Sequence, residues 1–204
     1  MLGSLRNRTT TLGVALLILC AAPLHAQGAN ASAAKAKGKG TASAHFKLTA
    51  PDLSAKGRIT LQHVFNGMGC TGQNISPALN WTGAPAGTKS FAVTAYDPDA
   101  PTGSGWWHWV MYNIPADATG LVAGAGSGRN APRGSQQGNT DFGTKGYGGP
   151  CPPPGDKPHH YHFKVFALKV DKLDVPGNAT AAMVGFNLNA NKLATATVTG
   201  LYAR

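Results

Sequence analysis

The chain has 204 residues with 18 basic and 8 acidic side chains, which give a formal net charge of +10 at pH 7. Five of the basic residues lie in the first 39 positions, so the rest of the chain carries thirteen basic against eight acidic side chains. This part contains neither a cluster of Lys and Arg nor a nucleic-acid-binding motif, so nucleic acid is excluded as the expected partner.

The first 26 residues have the pattern of a secretory signal peptide. Arg6 and Arg8 precede an apolar run at residues 12–22, and the small residue Ala26 offers a cleavage site. The run is shorter than the roughly 20 residues that span a bilayer. We therefore expect a cleaved signal peptide at residues 1–26, no transmembrane span, and a periplasmic or secreted mature protein.

Residues 27–44 consist mostly of Ala, Gly, Ser and Lys. Such a segment cannot bury enough apolar surface to offset the entropy of the chain, so we expect a flexible tether. The remaining residues, 45–204, are long enough to form one domain with its own core.

Strand signals are frequent in residues 45–204. Short runs rich in β-branched and aromatic residues are bounded by Gly, Pro, Asn or Asp, which predicts a β-sandwich or a barrel. The predicted strands are RITLQHVF (58–65), SFAVTAY (90–96), WHWVMYNI (107–114), YHFKVFALKV (161–170) and LATATVTGLYA (193–203).

Two segments depart from the strand pattern. The sequence NATAAMVGFNL (178–188) predicts one helix, with Asn178 as its N-cap. Residues 120–158 hold many glycines and prolines without periodicity, so we expect a long irregular loop, and loops of this length are usually functional.

Two of the three cysteines remain after cleavage. Cys20 lies inside the predicted signal peptide, where the bulky Leu19 before it disfavours lipid attachment. Cys70 and Cys151 would reach an oxidising compartment, where an even number of cysteines favours a disulfide. The alternative is a pair of buried thiols that do not meet.

Two polar, proline-rich segments each precede a strand that carries histidine. The first is DPDAP (97–101), followed by Trp107 and His108, and the second is GPCPP (149–153), followed by the HHY sequence at 159–161. His159 and Tyr161 are two residues apart, so they share one face of an extended strand. A pocket here would combine carboxylates, imidazoles and a phenol with tryptophan walls.

This set of side chains is compatible with three kinds of chemistry. His160 and His162 have the spacing of metal ligands, but they lie on the strand face opposite the apolar one, which disfavours a metal site. Ser104 lacks the surrounding motif of a nucleophile, which disfavours nucleophilic catalysis. Anion binding uses imidazole, phenol and backbone N–H donors, with aspartates that orient the histidines.

Together, three segments resemble the phosphatidylethanolamine-binding protein family, in particular its bacterial Raf-kinase-inhibitor-like branch. The resemblance is carried by DPDAP with WWHWVMYNIP, by GYGGPCPPPGDKPHHYHF, and by GCTGQNISPALNW (69–81). It extends from about Phe46 to the end of the chain, so it covers the whole predicted domain.

The resemblance implies a mainly β fold, an antiparallel Greek-key β-sandwich with a small C-terminal helical segment, and an anion pocket at one end. It places the loops of Cys70 and Cys151 near that pocket, and with export this leads us to predict a disulfide between them. Carried over onto this sequence, the anion-binding residues would be Asp97, Asp99, His108, His159 and Tyr161. The rim would be formed by Pro101, Trp107, Gly149, Pro150, Cys151 and Pro152.

The expected function is therefore that of a secreted, non-catalytic anion-binding module without a metal or cofactor. Its ligand would be a phosphate- or carboxylate-bearing small molecule or a lipid head group. Because members of the family are associated with inhibition of kinases and proteases, an inhibitor of an exported protease is the alternative. A hydrolase that uses the Asp–His set is less favoured, because no nucleophile motif accompanies it.

Overall fold

The structure, a computed structural model, describes residues 45–54 and 56–204, so the predicted signal peptide and tether lie outside the described residues. It is mostly β-structure with one α-helix. In chain order the elements are β1 (Lys47–Thr49), β2 (Asn66–Gly67), β3 (Cys70–Thr71), β4 (Leu79–Thr82), β5 (Ser90–Asp97), β6 (Trp106–Pro115), β7 (Gly120–Leu121), a 3₁₀ turn (Ala125–Ser127), β8 (Gln136–Gln137), β9 (His159–Leu168), α1 (Ala181–Asn191) and β10 (Lys192–Tyr202).

The main sheet has five strands in the order β10-β9-β5-β6-β8, and its neighbouring strands are antiparallel. A second sheet has the order β1-β4-β7, and β2 and β3 form a short pair. Within the main sheet, β9-β5-β6-β8 has the 4-1-2-3 spatial order of a Greek key, because the chain returns as β9 on the far side of β5. The predicted antiparallel Greek-key sandwich is confirmed.

The main sheet is buried on both faces. Along β5, Phe91 and Val93 pack into a core shared with Leu79 and Trp81 of the three-stranded sheet. The intervening Ala92 points to the opposite face and packs into a second core that includes the helix. This alternation follows from the two-residue period of a strand, and it places the sheet between the smaller sheet and α1.

The helix lies where the sequence predicted it, but its N-cap was predicted wrongly. The side-chain oxygen of Thr180, not that of Asn178, accepts a hydrogen bond from the backbone N–H of Met183. Both residue types cap helices well, so the choice between them depends on the preceding turn, in which Ala179 N–H donates to the Pro176 carbonyl.

The predicted strand at residues 58–65 is wrong. Its backbone turns at His63, whose N–H donates to the Thr60 carbonyl at 2.9 Å, while His63 Nδ1 lies 2.8 Å from the Ile75 carbonyl oxygen. Burial does not follow the alternation either, because Leu61 is exposed and Val64 is buried. Hydrogen bonds to residues 72–75 therefore replace strand pairing here.

Three long strands meet at one end of the main sheet. β5 ends at Asp97, opposite Trp106 at the start of β6, and β9 begins nearby, with His162 opposite Tyr96. The two proline-rich segments adjoin this end of the sheet, so the topology brings both predicted halves of the pocket together. In the part of the chain that the structure describes, no helix is long and apolar enough to cross a membrane.

Candidate functional site

A cavity of about 310 Å³ opens where β5 ends and where β6 and β9 begin. Four of the five side chains predicted to bind an anion line it, and the fifth, Asp99, does not. The lining residues are Met68, Asp97, Ala100, Pro101, Thr102, Trp106, His108, Phe142, Cys151, Pro152, Pro153, Pro154, His159, Tyr161 and Arg204.

Asp97 and His159 form a hydrogen-bonded pair in the cavity wall, and they expose only 2% and 4% of their surface. His159 Nδ1–H donates to Asp97 Oδ2 at 2.8 Å, and His159 Nε2 lies 3.3 Å from Asp156 Oδ2. Burial alone would lower the pKa of His159, but the hydrogen bonds to Asp97 and Asp156 and the charges of Asp97 and Asp99 outweigh burial and raise it. The arrangement therefore favours a positively charged imidazolium at this position.

Tyr161 presents a buried hydroxyl without a hydrogen-bond partner. The residue is 1% exposed, and its ring stacks against that of His159 at a centroid distance of 6.4 Å. Burial, together with the nearby Asp97 carboxylate, raises the pKa of Tyr161, so its hydroxyl stays neutral and keeps its proton. An unpaired buried hydroxyl costs about 1–3 kcal/mol, which a ligand that accepts its hydrogen bond would recover.

His108 is oriented by the backbone of the second proline-rich segment. Its Nδ1–H donates to the carbonyl oxygen of Gly148 at 2.7 Å. Burial lowers the pKa of His108 to about 4, although the Gly148 carbonyl and the Asp97 carboxylate act in the opposite direction. The His108 ring is therefore neutral at pH 7, and its pKa is shifted in the direction opposite to that of His159.

The three tryptophans of the WWHW sequence divide between three environments. Trp106 lines the cavity and meets Phe142 edge to face at 5.4 Å. Trp107, predicted at the rim, instead packs against Tyr96 on the side of the sheet that faces the helix. Trp109 is buried in the core between the two sheets. Trp107 lies on the face opposite its neighbours Trp106 and His108, as strand alternation requires. Trp109 does not share the face of Trp107, because the β5–β6 register shifts between Ala95 and Tyr96.

Asp99 orients a histidine outside the cavity. Its carboxylate accepts hydrogen bonds from the backbone N–H and the Nδ1–H of His160, both at 2.7 Å. Burial would raise the pKa of Asp99, but these two bonds and the histidine charge outweigh it and lower the pKa. His160 and His162 lie on the opposite face of β9, as predicted. In residues 45–54 and 56–204, no group of three or more His, Cys or Asp side chains is arranged to hold a metal.

Three of the six residues expected at the rim line the cavity. Pro101, Cys151 and Pro152 line the cavity, whereas Gly149 and Pro150 lie behind it. Gly149 N–H donates to the Asn74 side chain at 2.8 Å, and the Pro150 carbonyl accepts from the Phe65 N–H at 3.0 Å. These two residues attach the segment to the chain on either side of the β2–β3 pair, and the next residues then face the cavity.

A disulfide joins Cys70 to Cys151, with Cα atoms 6.0 Å apart and 81 positions of sequence between them. The predicted pairing is confirmed in the structure. Because Cys151 lines the cavity, the bond ties the proline-rich rim to the β2–β3 pair. The rim is therefore held both by this covalent link and by the backbone hydrogen bonds behind it.

Sequence reasoning missed several lining residues. Arg204 brings a positive charge, and its Nη1 lies 3.4 Å from the Met68 carbonyl oxygen. The β9–β10 register places it there, because Tyr202 pairs with His159. Phe142, from the long irregular loop, packs against His108 at 5.4 Å. No local pattern indicates Phe142, and the position of Arg204 depends on the register of the last strand pair, which no local motif encodes.

The family model for phosphatidylethanolamine-binding protein matches residues 49–203. The chain belongs to the phosphatidylethanolamine-binding protein family. It is 56% identical over 162 residues to the UPF0098 protein YbcL of Escherichia coli K12, which covers 78% of this chain and 88% of YbcL. It is 53% identical over 158 residues to the UPF0098 protein YbhB of the same organism, which covers 77% of this chain and 99% of YbhB.

Solved structures of the phosphatidylethanolamine-binding protein family have the same fold. The crystal structure of E. coli YbcL matches with a TM-score of 0.76 and covers 78% of this chain and 98% of that one. A homologue of the family from Chlamydia trachomatis, CT736, matches with a TM-score of 0.66 and 30% identity, and it covers 79% of this chain and 99% of that one. Every residue that lines the cavity except Arg204 lies inside the segment matched by the family model.

Proposed function

We propose that this domain is a non-catalytic module of an exported protein, and that it binds a phosphate- or carboxylate-bearing group in the cavity. The observation that carries the proposal is the buried, unpartnered hydroxyl of Tyr161 in the cavity wall. Buried polar groups are nearly always paired, so an unpaired donor in a cavity is best explained by a partner that arrives with the ligand.

The charges around the cavity support an anionic group as that partner. The side chain of His159, whose pKa is raised, and the Arg204 guanidinium both line the cavity. The Asp97 carboxylate is already engaged, because its two oxygens accept hydrogen bonds from His159 and from the Asp99 N–H. The donors that remain for a ligand are therefore the Tyr161 hydroxyl and the Arg204 guanidinium, which suit oxyanions.

The other walls of the cavity would hold the organic part of the ligand. Trp106, Phe142, Met68 and the prolines at 152–154 present mostly apolar surface. The cavity volume of about 310 Å³ exceeds what a bare phosphate or carboxylate needs and lies at the low end of small-molecule sites. A phosphate or carboxylate attached to a short organic group therefore fits better than a bare inorganic ion.

The hydrogen bonds of His159 support a binding role over a hydrolytic one. A histidine that activates a nucleophile needs one ring nitrogen directed at a hydroxyl, thiol or water. Here both ring nitrogens face carboxylates, at 2.8 Å and 3.3 Å. The thiol nearest the cavity, Cys151, is taken up in the disulfide. A panel of phosphate esters is expected to show no turnover that disappears in a His159→Ala variant.

The disulfide and the sequence pattern of residues 1–26 both support export. Disulfides persist in oxidising compartments, and Cys70 is bonded to Cys151. Residues 1–26 have the sequence pattern of a signal peptide. Mass spectrometry of the protein from a periplasmic or culture fraction should give a mass consistent with cleavage after Ala26 and an intact disulfide.

Nuclear magnetic resonance of the histidine rings tests the binding proposal. Methyl phosphate and acetate, titrated separately to millimolar concentration, should cause saturable shifts of the His108 and His159 resonances. His160 and His162 lie on the opposite strand face and serve as internal controls that should not shift. The absence of saturable shifts at His108 and His159 with either anion would refute the proposal.

A further inference from the structure

His160 and His162 project from the face of β9 that lies away from the cavity. They are two residues apart in an extended strand, so their side chains stand side by side on the same face. The centroids of the two imidazoles are 6.4 Å apart, and the ring planes differ by only 24°. Neither histidine lines the cavity, so a role for this pair is separate from the proposed anion binding.

Each of the two rings is oriented through its Nδ1 atom. His160 Nδ1 lies 2.7 Å from Asp99 Oδ2, and His162 Nδ1 lies 2.9 Å from the Thr199 hydroxyl oxygen. A carboxylate only accepts, so His160 Nδ1 carries a proton and donates it. The Thr199 hydroxyl oxygen can accept from His162 Nδ1–H in the same way. With this tautomer, Nε2 of each neutral imidazole keeps its lone pair for a ligand.

The two Nε2 atoms are accessible. Among the residues that the structure describes, none forms a hydrogen bond to Nε2 of either ring. The His160 side chain is 53% exposed, and His162 is only partly buried. Two nitrogens that bind one metal ion at about 2.0–2.1 Å are at most about 4 Å apart. The exposed His160 ring can turn towards His162 to reach this separation.

The charges around the pair suit a cation. The Asp99 carboxylate adjoins the His160 ring. Lys164, the next residue on this face of β9, places its ammonium over the ring of Phe166, with 5.9 Å between the nitrogen and the ring centroid. Because Phe166 lies farther along the strand, this positive charge points away from the histidines. A cation at the histidine pair would therefore be attracted by the carboxylate and would not face the Lys164 ammonium.

We propose that His160 and His162 form a site for a divalent late transition-metal ion on the outer face of β9, with Asp99 and Thr199 as positioning residues. Imidazole nitrogen is a preferred ligand of such ions, and a metal-binding histidine usually donates its other ring N–H to a fixed acceptor such as a carboxylate. The position of the pair on the polar face disfavours a metal from sequence alone, but no sequence pattern shows the two Nδ1 contacts. Two protein ligands leave the other coordination positions to water, which agrees with the lack of a three-residue cluster in residues 45–54 and 56–204.

The choice among metal ions follows from the ligand type. A site with two imidazoles and open positions should bind Cu²⁺ more tightly than Ni²⁺ or Zn²⁺, in the general order of affinity of these ions for nitrogen ligands. Mg²⁺ and Ca²⁺ prefer oxygen ligands and should not compete with Cu²⁺. The expected ligand is therefore Cu²⁺ first, with Zn²⁺ as a weaker ion that is suitable for NMR.

The test begins with calorimetric titration of Cu²⁺ into the exported protein, purified without a histidine tag in metal-free buffer. One equivalent should bind at micromolar concentration. Thr199→Val keeps the shape of the side chain but removes the acceptor, so it should weaken binding by about tenfold. His160→Gln and His162→Gln should each weaken it more. His45→Gln removes an exposed histidine just before β1 and should leave the affinity unchanged.

Spectroscopy identifies the ligands in the wild-type protein. Electron paramagnetic resonance of the Cu²⁺ complex should show coupling to two nitrogens. In the Zn²⁺ complex, ¹⁵N NMR should show a metal-bound Nε2 and a protonated Nδ1 in both His160 and His162. The buried rings of His108 and His159 should keep their nitrogen shifts. Because these spectra decide the question alone, a poorly folded variant does not remove the test.

The outcomes separate this inference from anion binding, which is measured in the cavity with other ligands. One bound Cu²⁺ that is lost with the two histidines and kept in His45→Gln supports the site. The inference is wrong if the wild type shows no saturable binding at micromolar Cu²⁺, or if a variant lacking both His160 and His162 binds Cu²⁺ as tightly as the wild type. Coordination of Zn²⁺ through Nδ1 would also overturn it.

Discussion

Replacing Tyr161 by Phe should stabilise the ligand-free protein against unfolding and at the same time weaken ligand binding. The hydroxyl is buried without a partner, so its removal eliminates a cost of about 1–3 kcal/mol while the ring stays in place. We expect the free energy of unfolding to rise by about 1 kcal/mol. A hydrogen bond to a charged group contributes about 1.5–3 kcal/mol, so the affinity for methyl phosphate should fall by about 10- to 100-fold.

The chain offers a matched control at Tyr147. This tyrosine is also buried, but its hydroxyl donates to the His63 carbonyl oxygen at 2.9 Å and lies outside the cavity lining. Tyr147→Phe leaves that carbonyl without its partner and should therefore lower the free energy of unfolding by about 1 kcal/mol or more. Its affinity for methyl phosphate should match the wild type.

The assay combines urea unfolding in a buffer free of phosphate and sulfate with ligand titration of both variants. The two substitutions remove the same atom, so any difference between them reports the environment of the hydroxyl. The reasoning is refuted if Tyr161→Phe destabilises the protein as much as Tyr147→Phe does, or if it leaves the affinity for methyl phosphate unchanged.

Three further predictions concern the disulfide and the two histidines. Replacing both Cys70 and Cys151 by Ser removes a link across 81 positions and should lower the free energy of unfolding by about 4.5 kcal/mol in urea, and a loss below 1 kcal/mol would contradict this. Asp97→Asn should lower the pKa of His159 in an NMR titration, and an unchanged pKa would refute this explanation of the shift. In the wild type, the raised pKa of His159 adds stability that is fully present below pH 6.5. This stability is lost as the pH rises through the pKa of the folded state. The lowered pKa of His108, about 4, gives the opposite pH dependence. The free energy of unfolding should fall by on the order of 3 kcal/mol between pH 6.5 and pH 4, and by less in His108→Gln. Equal losses in the wild type and the variant would contradict this prediction.

The long strands could be predicted because each is a run of aromatic and β-branched residues bounded by turn-forming residues. β5, β6, β9 and β10 lie where the aromatic and β-branched runs placed them. The segment at residues 58–65 has a similar alternation but forms no strand, because His63 bonds to Ile75 and the backbone turns there. A hydrogen bond to a loop more than ten residues away is invisible to a local pattern, and it overrode the propensity of the segment.

The cavity could be predicted in part, because four of its residues are positioned by local strand geometry. Asp97, His108, His159 and Tyr161 belong to two short segments whose own strand geometry directs them to one place. Asp99, carried over from the resemblance, does not line the cavity, because the backbone turns after Asp97 and the Asp99 carboxylate accepts a hydrogen bond from the His160 backbone N–H.

The contributions of Phe142 and Arg204 depend on long-range packing. Phe142 comes from the irregular loop and reaches the cavity through contacts with His108 and Trp106. Arg204 reaches it through the register of the last strand, in which Tyr202 pairs with His159. Neither the path of a long loop nor the register of a distant strand pair is encoded in a local motif, so the positive charge and the aromatic wall of the cavity required the structure.

A crystal structure of the domain soaked with methyl phosphate tests the central claim most directly. The account predicts density for the phosphate group in the cavity, with one oxygen about 2.7 Å from the Tyr161 hydroxyl oxygen and another within hydrogen-bond distance of the Arg204 guanidinium. An empty cavity at saturating ligand, or a phosphate bound elsewhere while the Tyr161 hydroxyl bonds to a protein group, would contradict it.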